Sequence, residues 1–237
     1  GGGAAGPSTT SFYLSTNALL DAGDVLLGTR AVPGLAAGAT SSGTTPVMIP
    51  AGTATGFYYL IAQADGDNVL VESQEGNNTT ARSIQIGSDL AISALTASPF
   101  ATGAGATITV SDTTKNQGGG AAGPSTTSFY LSTNASLDAG DVLLGSRAVP
   151  GLAAGATNAG ATAVTMPAGI GAGTYYLIAK ADADNGVGET QEGNNTALTT
   201  IQVGPDLVLV VFTAPLTAGA GATISVSDTT KNQGGGA

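Results

Sequence analysis

The chain has no cysteine, no histidine and no tryptophan. Without Cys or His there is no thiolate nucleophile, no imidazole base and no zinc or iron site of the usual kind. Disulfides are excluded, which does not argue for the cytosol, because large β-rich surface proteins fold without them. Charged residues make up only 9% of the chain, sixteen acids against six bases, for a net charge of −10. Nucleic-acid binding needs a basic footprint and is excluded as a function. No apolar run is long enough to span a membrane and no signal peptide is read. The segment is therefore expected to be soluble, as the mature or internal part of an exported protein. Aromatic residues are few, at 5%. Gly, Ala, Thr and Ser fill the chain, a neutral and hydroxyl-rich composition suited to secreted fibres.

The chain does contain a repeat. The run from Gly1 to Asn17 returns letter for letter from Gly118 to Asn134, and most positions match through Gly204. A period of about 117 residues is too long for a solenoid and is the size of a whole domain. Strand signals recur and helix signals are nearly absent. Within one unit, strands are predicted from Asp89 to Thr96, Ala106 to Thr114, Ser125 to Ser132, Val142 to Gly145, Ala161 to Pro167, Gly173 to Asp182 and Leu198 to Val203. Ala148 to Leu152 reads as an edge or connector, because Pro150 cannot donate to a ladder. The Gly173 strand is apolar on both faces, as a central strand would be. Asn116-Gln-Gly-Gly-Gly reads as a turn. Short strands with turns every 8–12 residues or so predict an all-β fold: tandem immunoglobulin-like antiparallel β-sandwiches of about seven strands each. Gly173-Thr-Tyr-Tyr is placed like the tyrosine corner of that fold.

These blocks resemble a known family. Asp206-Leu and Ile224-Ser-Val-Ser-Asp-Thr-Thr-Lys-Asn-Gln-Gly match the opening of the CARDB domain, the cell adhesion related domain found in bacteria. Phe129-Tyr-Leu-Ser-Thr-Asn, Leu137-Asp-Ala-Gly-Asp, Val149-Pro-Gly-Leu, Gly173-Thr-Tyr-Tyr-Leu-Ile-Ala and Glu189-Thr-Gln-Glu-Gly-Asn-Asn continue the pattern, and residues 1–88 carry the same later blocks. The resemblance implies Ig-like sandwiches arranged in tandem in surface proteins of bacteria and archaea, and it implies no reaction.

In the family's order a module opens at the Asp-Leu strand. Residues 1–88 are then a module without its first two strands, 89–205 a complete module, and 206–237 the first two strands of a third. An incomplete sandwich exposes strand edges that soluble proteins avoid. An identical neighbour is expected to supply what 1–88 lacks, in a head-to-tail contact that does not close and so extends into a fibre. Two arrangements satisfy this: a long polypeptide of many modules, or separate subunits that donate their last strands. The closing Gly234-Gly-Gly-Ala repeats the opening Gly1-Gly-Gly-Ala, which favours the long array. The partner is thus the chain itself, at the outside or surface of a bacterium or archaeon, with a surface or glycan target as a further candidate. A surface adhesin that uses these domains as spacers or carbohydrate binders is the alternative. An exposed aromatic patch unique to one module would favour it.

All sixteen acids recur one period apart. Asp65, Asp67, Glu72, Glu75 and Asn77 correspond to Asp182, Asp184, Glu189, Glu192 and Asn194. Closely spaced carboxylate and amide oxygens suit Ca2+, which takes six to eight hard oxygen ligands. The spacing is not that of an EF-hand, and the other reading is a solvated acidic loop whose Asp and Asn side chains form turns. Asp21 and Asp24, like Asp138 and Asp141, read first as turn formers. Paired carboxylates also serve glycosidases, but no cleft-forming insertion or aromatic sugar platform accompanies these. No enzyme is expected. Lys115 beside Asn116, and Lys231 beside Asn232, are candidates for a Lys–Asn crosslink. Asn77, Asn134 and Asn194 lie in Asn-x-Ser/Thr sequences that accept glycan in exported proteins.

Overall fold

The computed structural model describes residues 3–235. Gly1, Gly2, Gly236 and Ala237, the outer residues of the two Gly-Gly-Gly-Ala ends, lie outside the described residues. Two compact units divide near Ser88 and Asp89. No helix occurs among the described residues.

The second unit is a two-layer sandwich. One layer holds β5 (Leu90–Ser98), β7 (Thr107–Asn116) and β10 (Thr157–Thr165), in the order β10-β7-β5. The other holds β6 (Ala101–Thr102), β8 (Ser125–Ser132), β9 (Val142–Val149), β11 (Gly173–Lys180) and β12 (Thr196–Val203), in the order β6-β12-β11-β8-β9. All pairings are antiparallel except β12 with the short β6. The core follows from alternation. Ile108 and Val110 from β7 and Val164 with Met166 from the β10 side face Phe129, Leu131, Leu177, Ala179, Ile201 and Val203 of the opposite layer. Side chains on one face of a strand recur at every second residue, so these apolar residues reach one core from both layers. Leu177 and Ile178 are adjacent on β11 and both fully buried, as the apolar run on both faces of that strand predicts. The hydroxyl of Tyr175 donates to the Gly171 carbonyl at 3.0 Å, and Tyr58 donates to Ala54 at the same distance. This is the local geometry of a tyrosine corner.

Two strands extend four residues beyond the sequence reading, while the other boundaries shift by two residues or fewer. β9 continues through Ala148 to Val149, where Pro150 removes the next donor. β10 begins at Thr157 rather than Ala161, because β7 offers ladder partners as far as Lys115. The small residues 157–160 carry no local strand signal of their own.

The first unit contains one four-stranded sheet, β2-β1-β3-β4, from β1 (Ser8–Ser15), β2 (Val25–Val32), β3 (Gly56–Gln63) and β4 (Thr79–Ile86). Its registers repeat those of β9, β8, β11 and β12, including the bulge at Phe12/Tyr13 that matches Phe129/Tyr130. Residues 40–50, which correspond to β10 and its end, form no strand. Beyond β12, β13 (Leu207–Thr213) and β14 (Ser227–Asn232) form an antiparallel hairpin. Its register copies that of β5 and β7: Leu207 opposes Asn232 as Leu90 opposes Asn116, and both β5 and β13 carry a bulge two residues further on.

Candidate functional site

Two kinds of site emerge: the acidic loops named from the sequence, and a polar seam that the sequence reading missed.

In the loop after β3, Asp65 is buried and adopts φ 47°, a left-handed conformation that Asp tolerates in turns. Its carboxylate accepts the backbone N–H groups of Val69 at 3.3 Å and Leu70 at 3.0 Å. Asp182 repeats this after β11: it is fully buried, has φ 42°, and accepts Gly186 N–H at 3.2 Å and Val187 N–H at 3.0 Å. Both aspartates thus fold their loops. Asp67 accepts the Thr9 hydroxyl at 3.0 Å. Glu75 accepts the Glu72 N–H at 2.9 Å and Glu72 accepts the Asn78 amide, while Asn77 donates to Gln74. Asn194 is turned to Asp89, donating to its carboxylate at 3.0 Å. Asp184 is exposed.

Of the ten candidate metal ligands, Asp182, Glu189 and Glu192 place one carboxylate oxygen each within 4.8 Å of one another. Among the described residues this is the one such grouping, so Asp65, Glu72 and Glu75 do not form it. Three carboxylates of graded burial from a single loop are a fitting start for a hard divalent cation, whose remaining oxygens would be backbone carbonyls or water.

The Asp-Ala-Gly-Asp segments are turns. Asp138 accepts Gly140 N–H at 2.8 Å and the Asn134 amide at 3.2 Å, and Asp141 accepts Asp138 N–H at 2.9 Å. The Gly140 N–H, then the Asn134 amide, hold the Asp138 carboxyl below the ordinary carboxylate range. Asp21 and Asp24 repeat these bonds. Lys115 is exposed on β7 while Asn116 is buried, so this neighbouring pair points to opposite faces of the strand and is not brought together.

The polar seam lies where β5 and β7 cover the other layer of the second unit. The inward face of β7 continues from Ile108 and Val110 into Asp112, Thr114 and Asn116, all buried. Arg147 on β9 donates to both Asp112 oxygens at 2.7 Å, through Nε and Nη2, and its Nη2 also reaches the Asn158 carbonyl at 2.9 Å. The Arg147 side chain is 12% exposed and that of Asp112 is 0% exposed. A planar guanidinium matches a carboxylate with two parallel bonds, which compensates for burying both charges. The Thr114 and Thr127 hydroxyls bond at 2.8 Å. The Asn116 amide donates to Leu152 O at 3.0 Å, and its Oδ1 accepts Asp89 N–H at 3.1 Å. Asp89 in turn accepts the Gln117 amide at 3.1 Å. The signal for this seam was present in the sequence, since the period-two pattern of β7 does not stop at Val110. Asp112 and Thr114 fall within the expected strand, whereas Asn116, expected in a turn, is the last residue of β7.

A sandwich with these two layers and a tyrosine corner defines a class, the immunoglobulin-like β-sandwich module. The CARDB family model matches residues 1–82 and 87–199, and the chain belongs to that family, a non-enzymatic, cell-surface-associated domain family. Comparison with the curated proteins found no match. Among solved structures, the chain is similar to the CARDB domain of a Pyrococcus furiosus protein, solved in complex with di-metal ions. That likeness has 21% identity, covers 49% of this chain and 89% of that one, and has a TM-score of 0.38. A domain assigned to a cell-surface protein of Methanosarcina acetivorans gives 19% identity, 50% and 92% coverage, and a TM-score of 0.35. β-Glucosidase 3B of Thermotoga neapolitana, solved with glucose, gives 16% identity and a TM-score of 0.36, and the match covers 52% of this chain but 17% of the enzyme. These likenesses concern the fold alone. No helix among the described residues is long and apolar enough to cross a membrane.

Proposed function

We propose that this chain is a structural segment of an extracellular filament in which CARDB modules follow head to tail and a β-hairpin of one module completes the sandwich of the next. The observation that carries this reading is one octapeptide in two settings. Ser-Thr-Thr-Ser-Phe-Tyr-Leu-Ser forms both β1 and β8, yet Phe129 is fully buried and Phe12 only half-buried. What differs is a hairpin of the β5–β7 type in the same unit. The chain ends in such a hairpin, β13–β14, with Leu207, Leu209, Phe212 and Val226 each about half exposed or more. Apolar residues on a two-stranded hairpin, whose outer edges join no other described strand, favour addition to another sheet. The adhesin alternative has less support: an exposed Phe occurs in each unit, Phe57 in the first and Phe100 in the second, so exposed aromatics do not single out one module. No enzymatic role is proposed.

The experiment is light scattering and negative-stain electron microscopy of the purified 237-residue chain. Linear, concentration-dependent assemblies are expected, and a chain that stays monomeric at high concentration overturns the reading. A boiled denaturing gel of native filaments separates its two arrangements: a band at one chain means donated strands, and a very large species means a continuous array.

Calcium is proposed as the cation of the Asp182, Glu189 and Glu192 grouping, because hard carboxylate oxygens are its preferred ligands. Calcium should then raise the melting temperature of the chain, and chelation should reverse the shift. Equal melting with and without chelator removes the metal from the account.

A further inference from the structure

We infer that Arg30 is a preformed receptor for Asp228 of a second copy of this chain, and that this ion pair sets the register in which the β13–β14 hairpin docks on the first unit. The inference rests on the strand-complementation reading above and adds its chemistry.

Arg30 occupies on β2 the position that Arg147 occupies on β9. Arg147 has two sets of acceptors, Asn158 on β10 and the carboxylate of Asp112 on β7. Arg30 has the first set only. It donates to the hydroxyl of Ser41 at 3.0 Å and to its carbonyl at 3.3 Å, Ser41 being the counterpart of Asn158, and among the described residues it reaches no carboxylate. The space for the guanidinium is kept open in both modules by glycine. A Cβ at Gly160 would lie 2.6 Å from Arg147 Nε, and a Cβ at Gly43 would lie 2.8 Å from Arg30 Cδ. Arg30 is therefore half-buried and held in place, with its carboxylate partner missing from its own unit.

That partner exists elsewhere in the chain. The β7 run Ser111-Asp-Thr-Thr-Lys-Asn recurs as the β14 run Ser227-Asp-Thr-Thr-Lys-Asn. Asp228 thus stands where Asp112 stands, but it is exposed, and its carboxylate accepts the Thr230 hydroxyl at 3.2 Å and meets no cation among the described residues. A cation held beside an unfilled layer and an anion on an unpacked hairpin are complementary at one register. At that register β14 and residues 223–226 before it lie along residues 40–48 as β7 lies along β10. Lys231 then opposes Thr40 and Thr223 opposes Met48, supplying the ladder partner without which residues 40–48 form no strand. The same docking sets Thr230 against Thr10, as Thr114 meets Thr127, and turns Ile224 and Val226 toward Phe12 and Leu60, as Ile108 and Val110 face Phe129 and Leu177. A slip by one residue would turn Asp228 outward and Thr229 inward, leaving Arg30 unanswered. Charge pairing of this kind fixes orientation as well as strength.

The test is charge reversal in the full 237-residue chain, read by analytical ultracentrifugation. Arg30→Asp and Asp228→Arg should each weaken chain-to-chain association by about thirtyfold or more. The double variant Arg30→Asp/Asp228→Arg should recover to within about threefold of wild type, because the reversed pair is again complementary and the chain still folds. If wild type assembles and both single variants assemble equally well, the ion pair is wrong and strand complementation stands. If the single variants fail and the double variant is not rescued, the register is wrong. If wild type remains monomeric while residues 40–48 resist amide exchange, another part of the same polypeptide fills the sheet, and both the inference and the reading beneath it fall.

Discussion

The first and second units present one sequence in two conditions. Ser125, Thr127, Phe129, Leu177, Ala179 and Ile201 are buried in the second, whereas Ser8, Thr10, Phe12, Leu60, Ala62 and Ile84 are only half-buried in the first. The four strands, their registers and even the β-bulge agree. What the first unit lacks is the layer made by β5 and β7. The comparison teaches that four strands of this module form a sheet by themselves, while the core is a property of two layers. Residues 40–50 make the point locally: without a neighbour on their open side they form no strand, and residues 157–165 with β7 beside them form nine residues of one.

The sharpest way to break this comparison is to remove the same aromatic ring from both units. Phe129→Ala should destabilise the second unit by about 3–5 kcal/mol, the range for a buried Phe that leaves a cavity. Phe12→Ala should cost less than half of that in the unassembled chain, and the proposed filament predicts that its cost rises toward that of Phe129 on assembly. Equal losses in the monomer, read by chemical denaturation, would show that the first unit is already a complete core.

A smaller contrast lies in the arginines. Arg147→Ala leaves the Asp112 carboxylate buried without its partner, and about 3 kcal/mol is expected from the second unit. Arg30→Ala removes only the bonds to Ser41 and should cost about 1 kcal/mol in the monomer. If the two losses match, the asymmetry between the units has no energetic content at this seam.

The smallest effect is expected at Asp138. Its carboxyl is held below the ordinary range by the Gly140 N–H and the Asn134 amide. A group whose folded pKa is depressed contributes stability above its unfolded value, about 4, and loses that contribution as pH falls through the lowered value. Wild type should therefore lose slightly more melting temperature on acidification than Asp138→Asn does. The turn is fully exposed, and identical acid profiles for the two proteins would show that its hydrogen bonds add nothing to folding.

Much of this was legible in the chain. The repeat, the β class, the strand centres, the tyrosine corner and the turn role of Asp-Ala-Gly-Asp all follow from local pattern. The metal candidates were less legible, because the same ten residues serve several ends. Asp65 and Asp182 fold their own loops, Asn194 holds Asp89, and Asp182, Glu189 and Glu192 alone draw together. Spacing along a chain does not state which way a loop closes. Of the seam of Arg147, Asp112 and Asn116 only the inward face of β7 was legible, as a period-two pattern, because an Arg on β9 and an Asp on β7 are joined only when two layers face each other.

The sequence by itself determined the module and its period, since alternation and turn residues act over a few neighbouring positions and are the same in both copies. It also determined which faces are apolar. Only the tertiary structure decided which copy is buried. Phe12 and Phe129 have the same neighbours along the chain, so nothing local can set them apart. The difference comes from a second layer brought in from far along the chain. Where β5 and β7 cross over the sheet, water is excluded, Asp112 meets Arg147, and residues 157–165 become a strand. Where no such hairpin lies among the described residues of the unit, the same residues remain half exposed, and Arg30 bonds to Ser41.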